Sequence, residues 1–322
     1  MGLTPKTARA AVHEIGITLE KAFLGARGAA HVASLKPTAI LFSADETMLN
    51  LPWETLRSCG GTIAPDVPFG RVVSTATVPR VRRDPEDEDP TVKILVVANP
   101  GDNLPACDAV VKTLEGLRGS QANGMVEVDV LQTHDATRAG FAAAVKGRDY
   151  DVVHFAGHGS FDKGDPRRSC VMLADGTFDA SDVGDLEWAT PPYILFNSAC
   201  ESARAKAGRR LVSKGGNANG LVAAFLSAGT EAYVGHFWPV QDTSAAQFAD
   251  EFYRQLFEVQ NVGTAITRAR ERADAQFDAD VDLLAPGTIF FGDSGSAARR
   301  DMGVAAQPPD HARGSRRDIV KS

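Results

Sequence analysis

Continuous apolar runs, separated by stretches in which apolar residues recur every three or four positions, fill the chain from residue 91 to residue 293. The runs Val92–Ala98, Val126–Leu131, Val152–Ala156, Tyr193–Ala199, Glu231–Phe237 and Gly287–Phe291 read as strands covered on both faces. Between them, Ala106–Leu117, Ala136–Gly147, Ala180–Leu186, 217–228, Thr243–Gln260 and Val262–Ala275 read as helices. A small hairpin around Cys170–Phe178 turns at Asp175-Gly176. Strand and helix in alternation predict an α/β fold: a three-layer sandwich with a mostly parallel sheet and helices on both faces.

The N-terminal part is patterned differently. Residues 5–31 read as a helix through Val12, Ile15, Leu19 and Phe23 that ends at Gly25 and Gly28. Ala39–Ser43 and Met48–Leu51 flank a polar turn at Ala44-Asp45-Glu46 and read as a hairpin, after which Pro52 opens a helical turn. Pro79–Pro90 holds three prolines and almost no apolar residue, which makes it a linker and a natural protease target. From Ser294 onward no periodicity remains. The expected organisation is therefore an N-terminal region over 1–90, a main domain over 91–293 and a disordered tail over 294–322.

Several function classes drop out at this point. The longest apolar stretches fall far short of the roughly 18 residues a membrane span needs, and residues 1–30 lack the layout of a secretory signal. With 34 Lys+Arg against 41 Asp+Glu the net charge is −7, which disfavours nucleic acid as a partner. Cys59, Cys107, Cys170 and Cys200 form no C-x-x-C pair, so neither a disulfide framework nor a zinc site is expected, and a reducing cytoplasm is the expected location. No cofactor is expected.

Chemistry concentrates at two strand ends. In an open α/β sheet, groups at the carboxyl ends of neighbouring strands converge on one crevice. Val152–Ala156 delivers His158 within Gly157-His-Gly159, and Tyr193–Ala199 delivers Cys200. A thiol beside an imidazole is the minimal apparatus of covalent acyl transfer. Gly157 and Gly159 let the backbone approach a substrate, and the N–H groups of Gly159 and Cys200 are candidate oxyanion donors. His154 and His158 fall on a strand and a turn, so they do not make a helical zinc pair, and Gly292-Asp-Ser-Gly295 mimics a serine-protease motif in a chain that is not all-β.

Three segments together carry a resemblance. His154-Phe-Ala-Gly-His-Gly-Ser-Phe-Asp162, Asn197-Ser-Ala-Cys-Glu-Ser202 and Gly235-His-Phe-Trp-Pro-Val-Gln-Asp242 resemble the CHAT family of caspase-like proteins, in the clan that also holds caspases, separase and gingipains. Leu51-Pro-Trp-Glu-Thr-Leu56, Leu173-Ala-Asp-Gly176 and Phe252-Tyr253 are similar to further segments of that family, so the resemblance runs from about residue 37 to 293. It implies a caspase-like sandwich and a cysteine endopeptidase with His158 and Cys200 as the dyad. The Gln-Ala-Cys signature of caspases is absent, which fits a sister family.

In separase-like relatives that cut after Arg or Lys, the carboxylate that holds the P1 residue lies in the loop matching Trp238–Asp242. Other relatives in the CHAT family accept apolar P1 residues, so the resemblance leaves both a basic and an apolar P1 open. Asp242 is the candidate carboxylate, with N-capping of the helix at Thr243 as the other reading of the same residue. Asp162 and Glu201 are further acids expected near the substrate. The implied partner is a protein substrate in a bacterial defence or programmed cell-death pathway, a gasdermin-like pore former or a regulator, with a separate activator protein, an upstream protease or self-cleavage at Arg80–Arg83 as the control. The competing expectation is a catalytically silent caspase-like scaffold.

Overall fold

In a computed structural model the chain is described at residues 5–44, 48, 51–58, 61–62, 67–73, 91–121, 124–162, 164–204, 220–276 and 284–293. The strands, in chain order, are β1 (Ile40–Ala44), β2 (Arg57–Ser58), β3 (Gly61–Thr62), β4 (Phe69–Val73), β5 (Thr91–Ala98), β6 (Gly119–Gln121) and β7 (Gly124–Gln132). They continue with β8 (Val152–Ala156), β9 (Gly159–Ser160), β10 (Cys170–Leu173), β11 (Gly176–Asp179), β12 (Ile194–Asn197), β13 (Ala232–His236) and β14 (Thr288–Phe291). Among the described residues, nine of them form one sheet in the order β1-β4-β14-β13-β12-β8-β5-β7-β6. Pairing is parallel except at β13–β14 and β6–β7. The smaller units are the β9–β10–β11 sheet and the β2–β3 hairpin.

The continuous apolar runs are explained by the layers. Ile94, Val96 and Ala98 of β5, with Ile194 and Phe196 of β12, belong to a core covered by the helices Cys107–Gly116, Asp242–Val259 and Val262–Gln276. Leu95, Val97, Val153 and Leu195 point the other way, into a core covered by Arg138–Gly147, Ala180–Gly184 and Leu221–Ala228. Successive strand residues face opposite sides, so a strand buried on both must be apolar throughout. Each fully buried Leu, Ile, Val or Phe contributes about 1.5–3 kcal/mol. Helix ends obey local chemistry: Thr137 Oγ1 accepts from Gly140 N–H at 3.0 Å, and Asp179 and Asp182 form a reciprocal capping box.

The N-terminal part departs from expectation in two ways. Gly25 does not end the helix. A π-helical turn at Glu20–Leu24 joins Pro5–Leu19 to Gly25–Leu35, with Gly25 at φ +60° absorbing the break. The strand Ile40–Ala44 pairs in parallel with Phe69–Val73, and β4 meets β14, so this part of the chain extends the main sheet instead of standing apart as a hairpin unit, residues 45–47 and 49–50 of the expected hairpin lying outside the described residues. A third core of Leu19, Trp53, Leu56 and Phe69 fixes it in place, with Phe42 packed against Trp53 at 4.4 Å between ring centres. The Pro79–Pro90 segment, Cys59, most of the 44–51 turn and the tail lie outside the described residues.

Candidate active site

The register of the central strands sets the site. Ala98 of β5 lies opposite Ala156 of β8, and Asn197 of β12 lies opposite Phe155, so these three parallel strands end together and their next residues form one rim. On that rim Gly157-His158-Gly159 is wedged between two neighbours. A Cβ on Gly157 would stand about 3.1 Å from Pro100 Cδ, and one on Gly159 would stand 2.7 Å from Ala199 Cβ and 3.1 Å from the Cys200 carbonyl. Glycine is needed at 159, where backbone packs directly against the Cys200 turn, while at 157 a side chain would require Phe155 and Pro100 to give way slightly. The turn is tied down on its far side, where Met172 N–H donates to the His158 carbonyl at 2.9 Å. The His158 ring is exposed, and its Nε2 stands 2.9 Å from Asn103 Oδ1.

Cys200 follows β12 in a tightly bonded turn. Ser198 N–H donates to Phe155 O at 2.9 Å, and Ala199 N–H donates to Asn197 Oδ1 at 3.1 Å. Ser202 Oγ donates to Asn197 O at 2.8 Å and accepts from His236 N–H at 3.0 Å, while Tyr233 OH donates to Ser202 O at 2.7 Å. Glu201 takes the left-handed conformation at φ +54°. The half-buried Cys200 thiol points towards Val240 O, 3.6 Å away.

His158, Cys200 and Asp242 line one pocket of about 140 Å³, together with Ser198, Cys107 and apolar residues such as Leu104. Asp242 is the first residue of its helix, with Gln241 at the N-cap, so it does not cap that helix. Its carboxylate instead accepts from Ala106 N–H at 3.1 Å and from the Cys107 thiol at 3.5 Å, closing the start of the Cys107–Gly116 helix. Burial first, and then the Asp242 charge, push the Cys107 thiol up to about 12, so it stays protonated.

The other two acids lie outside the lining of that pocket. Glu201 pairs with Arg204, whose guanidinium covers the Phe161 ring at 4.9 Å. Asp162 Oδ1 accepts from Asp165 N–H at 3.0 Å and Gly164 N–H at 2.7 Å, and these bonds hold its carboxyl below the usual range.

Behind the pocket, His154 is fully buried against Phe196. Its Nδ1 meets Tyr253 OH at 2.9 Å and its Nε2 meets Ser198 Oγ at 3.0 Å. Burial, with a smaller contribution from His236, lowers its pKa to about 3, so it is a neutral support. Among the described residues, no group of three His, Cys, Asp or Glu is placed to hold a metal, and no helix is long and apolar enough to cross a membrane. Asn103 is a site residue that the pattern of the sequence does not single out; the polar turn Asn99-Pro-Gly-Asp-Asn103 after β5 is the available signal.

A family model described as CHAT domain matches residues 13–280. A comparison with curated proteins gives no match. Among solved structures, the Saccharomyces cerevisiae separase–securin complex aligns with a TM-score of 0.50 at 13% identity, over 79% of this chain and 16% of the separase chain. The Arg-specific cysteine proteinase gingipain R aligns with a TM-score of 0.55 at 14% identity, over 93% of this chain and 71% of that one. The complex of Porphyromonas gingivalis RgpB pro- and mature domains gives 0.53 and 13%, over 93% of this chain and 72% of that one. At these identities the likeness is one of fold, an α/β sandwich of the caspase-like kind.

Proposed function

Because the chain belongs to the CHAT domain family, we propose that it is a cysteine endopeptidase with Cys200 as nucleophile and His158 as base. The observation that carries this reading is that both residues line one pocket at the aligned ends of two paired parallel strands. His158 takes the proton from Cys200 Sγ, and the thiolate attacks the scissile carbonyl carbon. The oxyanion accepts from the N–H groups of Gly159 and Cys200. Collapse breaks the C–N bond as the imidazolium gives its proton to the leaving amine, and water then hydrolyses the thioester with His158 again as base.

Asp242 is the pocket acid that meets an Arg or Lys at P1. The pocket is otherwise largely apolar, which suits the methylene stem of such a side chain while the carboxylate meets its charged end. Asp162 and Glu201 are proposed to meet the substrate outside the P1 pocket. The substrate is a protein: a gasdermin-like pore former or a regulator in a bacterial defence or cell-death pathway. The yeast separase structure is a complex with securin, and by extension a separate protein partner controls this chain. The site of action is the cytoplasm.

A peptidyl acyloxymethyl ketone with Arg at P1 tests this. The expected product is a single thioether adduct on Cys200, absent in His158→Ala and much weaker with Ala at P1 in place of Arg. An adduct on Cys107 or Cys170, or none on any cysteine, contradicts the reading.

A further inference from the structure

The imidazole of His158 has two nitrogens, and the one in contact with Asn103 cannot serve as the base. Asn103 Oδ1 stands 2.9 Å from Nε2, and an amide oxygen only accepts, so a hydrogen bond with the amide in this orientation requires the tautomer with the ring proton on Nε2, which leaves the lone pair on Nδ1. We propose that Asn103 is a positioning residue for His158, holding the ring in the tautomer and orientation in which Nδ1 takes the Cys200 proton. This rests on the reading of His158 as the base for Cys200.

The loop that carries Asn103 is built to hold it. Asn99 N–H donates to Ala156 O at 2.8 Å, which ties the end of β5 to the strand that delivers His158. The Asn99 side chain, 3% exposed, then folds back to accept from Asn103 N–H at 3.0 Å and Leu104 N–H at 2.9 Å. Asp102 N–H donates to Asn99 O at 3.0 Å. Two non-glycine residues of the loop, Asn99 at φ +48° and Asp102 at φ +53°, are in the left-handed region, a conformation that persists where surrounding bonds enforce it. Pro100 packs where a Cβ on Gly157 would go. The loop therefore arrives beside His158 already shaped, and Asn103 is bonded through its backbone to one asparagine and through its side chain to the imidazole.

The titratable groups that share the pocket with His158 are Cys200, Cys107 and Asp242, and Asp102 is the charge of the loop itself. Among the described residues none of these four is hydrogen-bonded to the His158 ring, whereas Asn103 is. A neutral amide orients the imidazole without adding a charge that favours imidazolium, in contrast to a carboxylate at the same place.

The test compares the full chain with Asn103→Ala, Asn103→Asp and His158→Ala, reading the pH dependence of Cys200 alkylation by iodoacetamide and of peptide hydrolysis. Asn103→Ala is expected to lower both rates by about 10- to 100-fold, a part of what a positioned base contributes, with KM and the thermal midpoint unchanged. Asn103→Asp, which keeps the acceptor, is expected to recover most of the rate and to move the pH profile upward, because the added carboxylate favours imidazolium. Unchanged rates in Asn103→Ala, or a loss in Asn103→Asp as deep as in Asn103→Ala, overturn the assignment. If His158→Ala leaves Cys200 reactivity unaltered, the dyad itself falls; if His158→Ala abolishes it and Asn103→Ala does not alter it, only the role of Asn103 falls.

Discussion

Gly159 and Ala199 approach so closely that a Cβ on the glycine would lie 2.7 Å from the alanine Cβ. The contact joins the turn that carries His158 to the turn that carries Cys200, so it fixes the separation of the proposed base and nucleophile. Gly159→Ala must push these turns apart. The expected result is a loss of about 1–3 kcal/mol in unfolding free energy, as for other overpacked sites, and a larger proportional loss of peptidase activity. Denaturant unfolding and kcat/KM measured on the same preparation check this; a variant with normal activity shows that the spacing is not critical.

Asp242 has two tasks in this account, and two substitutions separate them. Asp242→Ala removes the acceptor at the start of the Cys107–Gly116 helix and is expected to cost about 0.5–2 kcal/mol. Asp242→Asn keeps an acceptor but removes the charge, so it is expected to be close to normal in stability while losing preference for Arg or Lys at P1. Equal kcat/KM for Arg and Ala at P1 in the wild-type protein would remove Asp242 from the specificity argument.

Two buried histidines make the fold sensitive to acid. Burial lowers both His154 and His236 to about 3 from the ordinary 6.5, so between those values the unfolded chain binds protons that the folded chain excludes. Their contribution is fully present above about pH 6.5 and is lost as pH falls, by up to about 1.4 kcal/mol per pH unit for each histidine. Urea unfolding at pH 7 and at about pH 5 is expected to show a smaller acid loss in His236→Asn than in the wild type. The same loss in both contradicts a buried neutral His236.

Glu54 and Arg71 are each 1% exposed and form an ion pair, with Arg71 Nε donating to Glu54 Oε1 at 2.8 Å. Arg270 is buried at 2% and lies close enough for the Glu54 charge to act on it; burial lowers it to about 10. Glu54→Gln leaves two buried guanidinium groups without that carboxylate. The expected cost is about 3–5 kcal/mol, read from the denaturant midpoint. A loss below about 1 kcal/mol would mean that water or relaxation screens the cluster.

What was legible in the sequence follows from where the determining contacts lie. The strands Val152–Ala156 and Ile194–Asn197 stand out as apolar runs because helices cover both faces of the sheet, and His158 and Cys200 stand out because they follow those runs directly. The strand Phe69–Val73 does not stand out, since Arg71 at its centre looks solvent-facing until Glu54 is placed beside it. Ile40–Ala44 was expected to pair with a nearby segment, but its partner is a parallel strand reached through an intervening hairpin, and no local turn encodes that. Asn103 lies 55 positions from His158 and meets it only because β5 and β8 are neighbours in the sheet. Asp242 similarly reaches Ala106 across 136 positions, so neither its own helix nor its local motif could reveal that bond.

If Cys200 and His158 together cut peptide bonds, loss of either side chain must abolish cleavage. Digestion of a diverse peptide library by the wild-type chain, Cys200→Ala and His158→Ala, with cut sites read by mass spectrometry, tests it most directly. Cleavage by the wild type alone is expected, with Arg or Lys enriched at P1. Cleavage that persists in Cys200→Ala, or no cleavage by the wild type, would contradict it, and the second outcome would favour a fold that binds partners without cutting them.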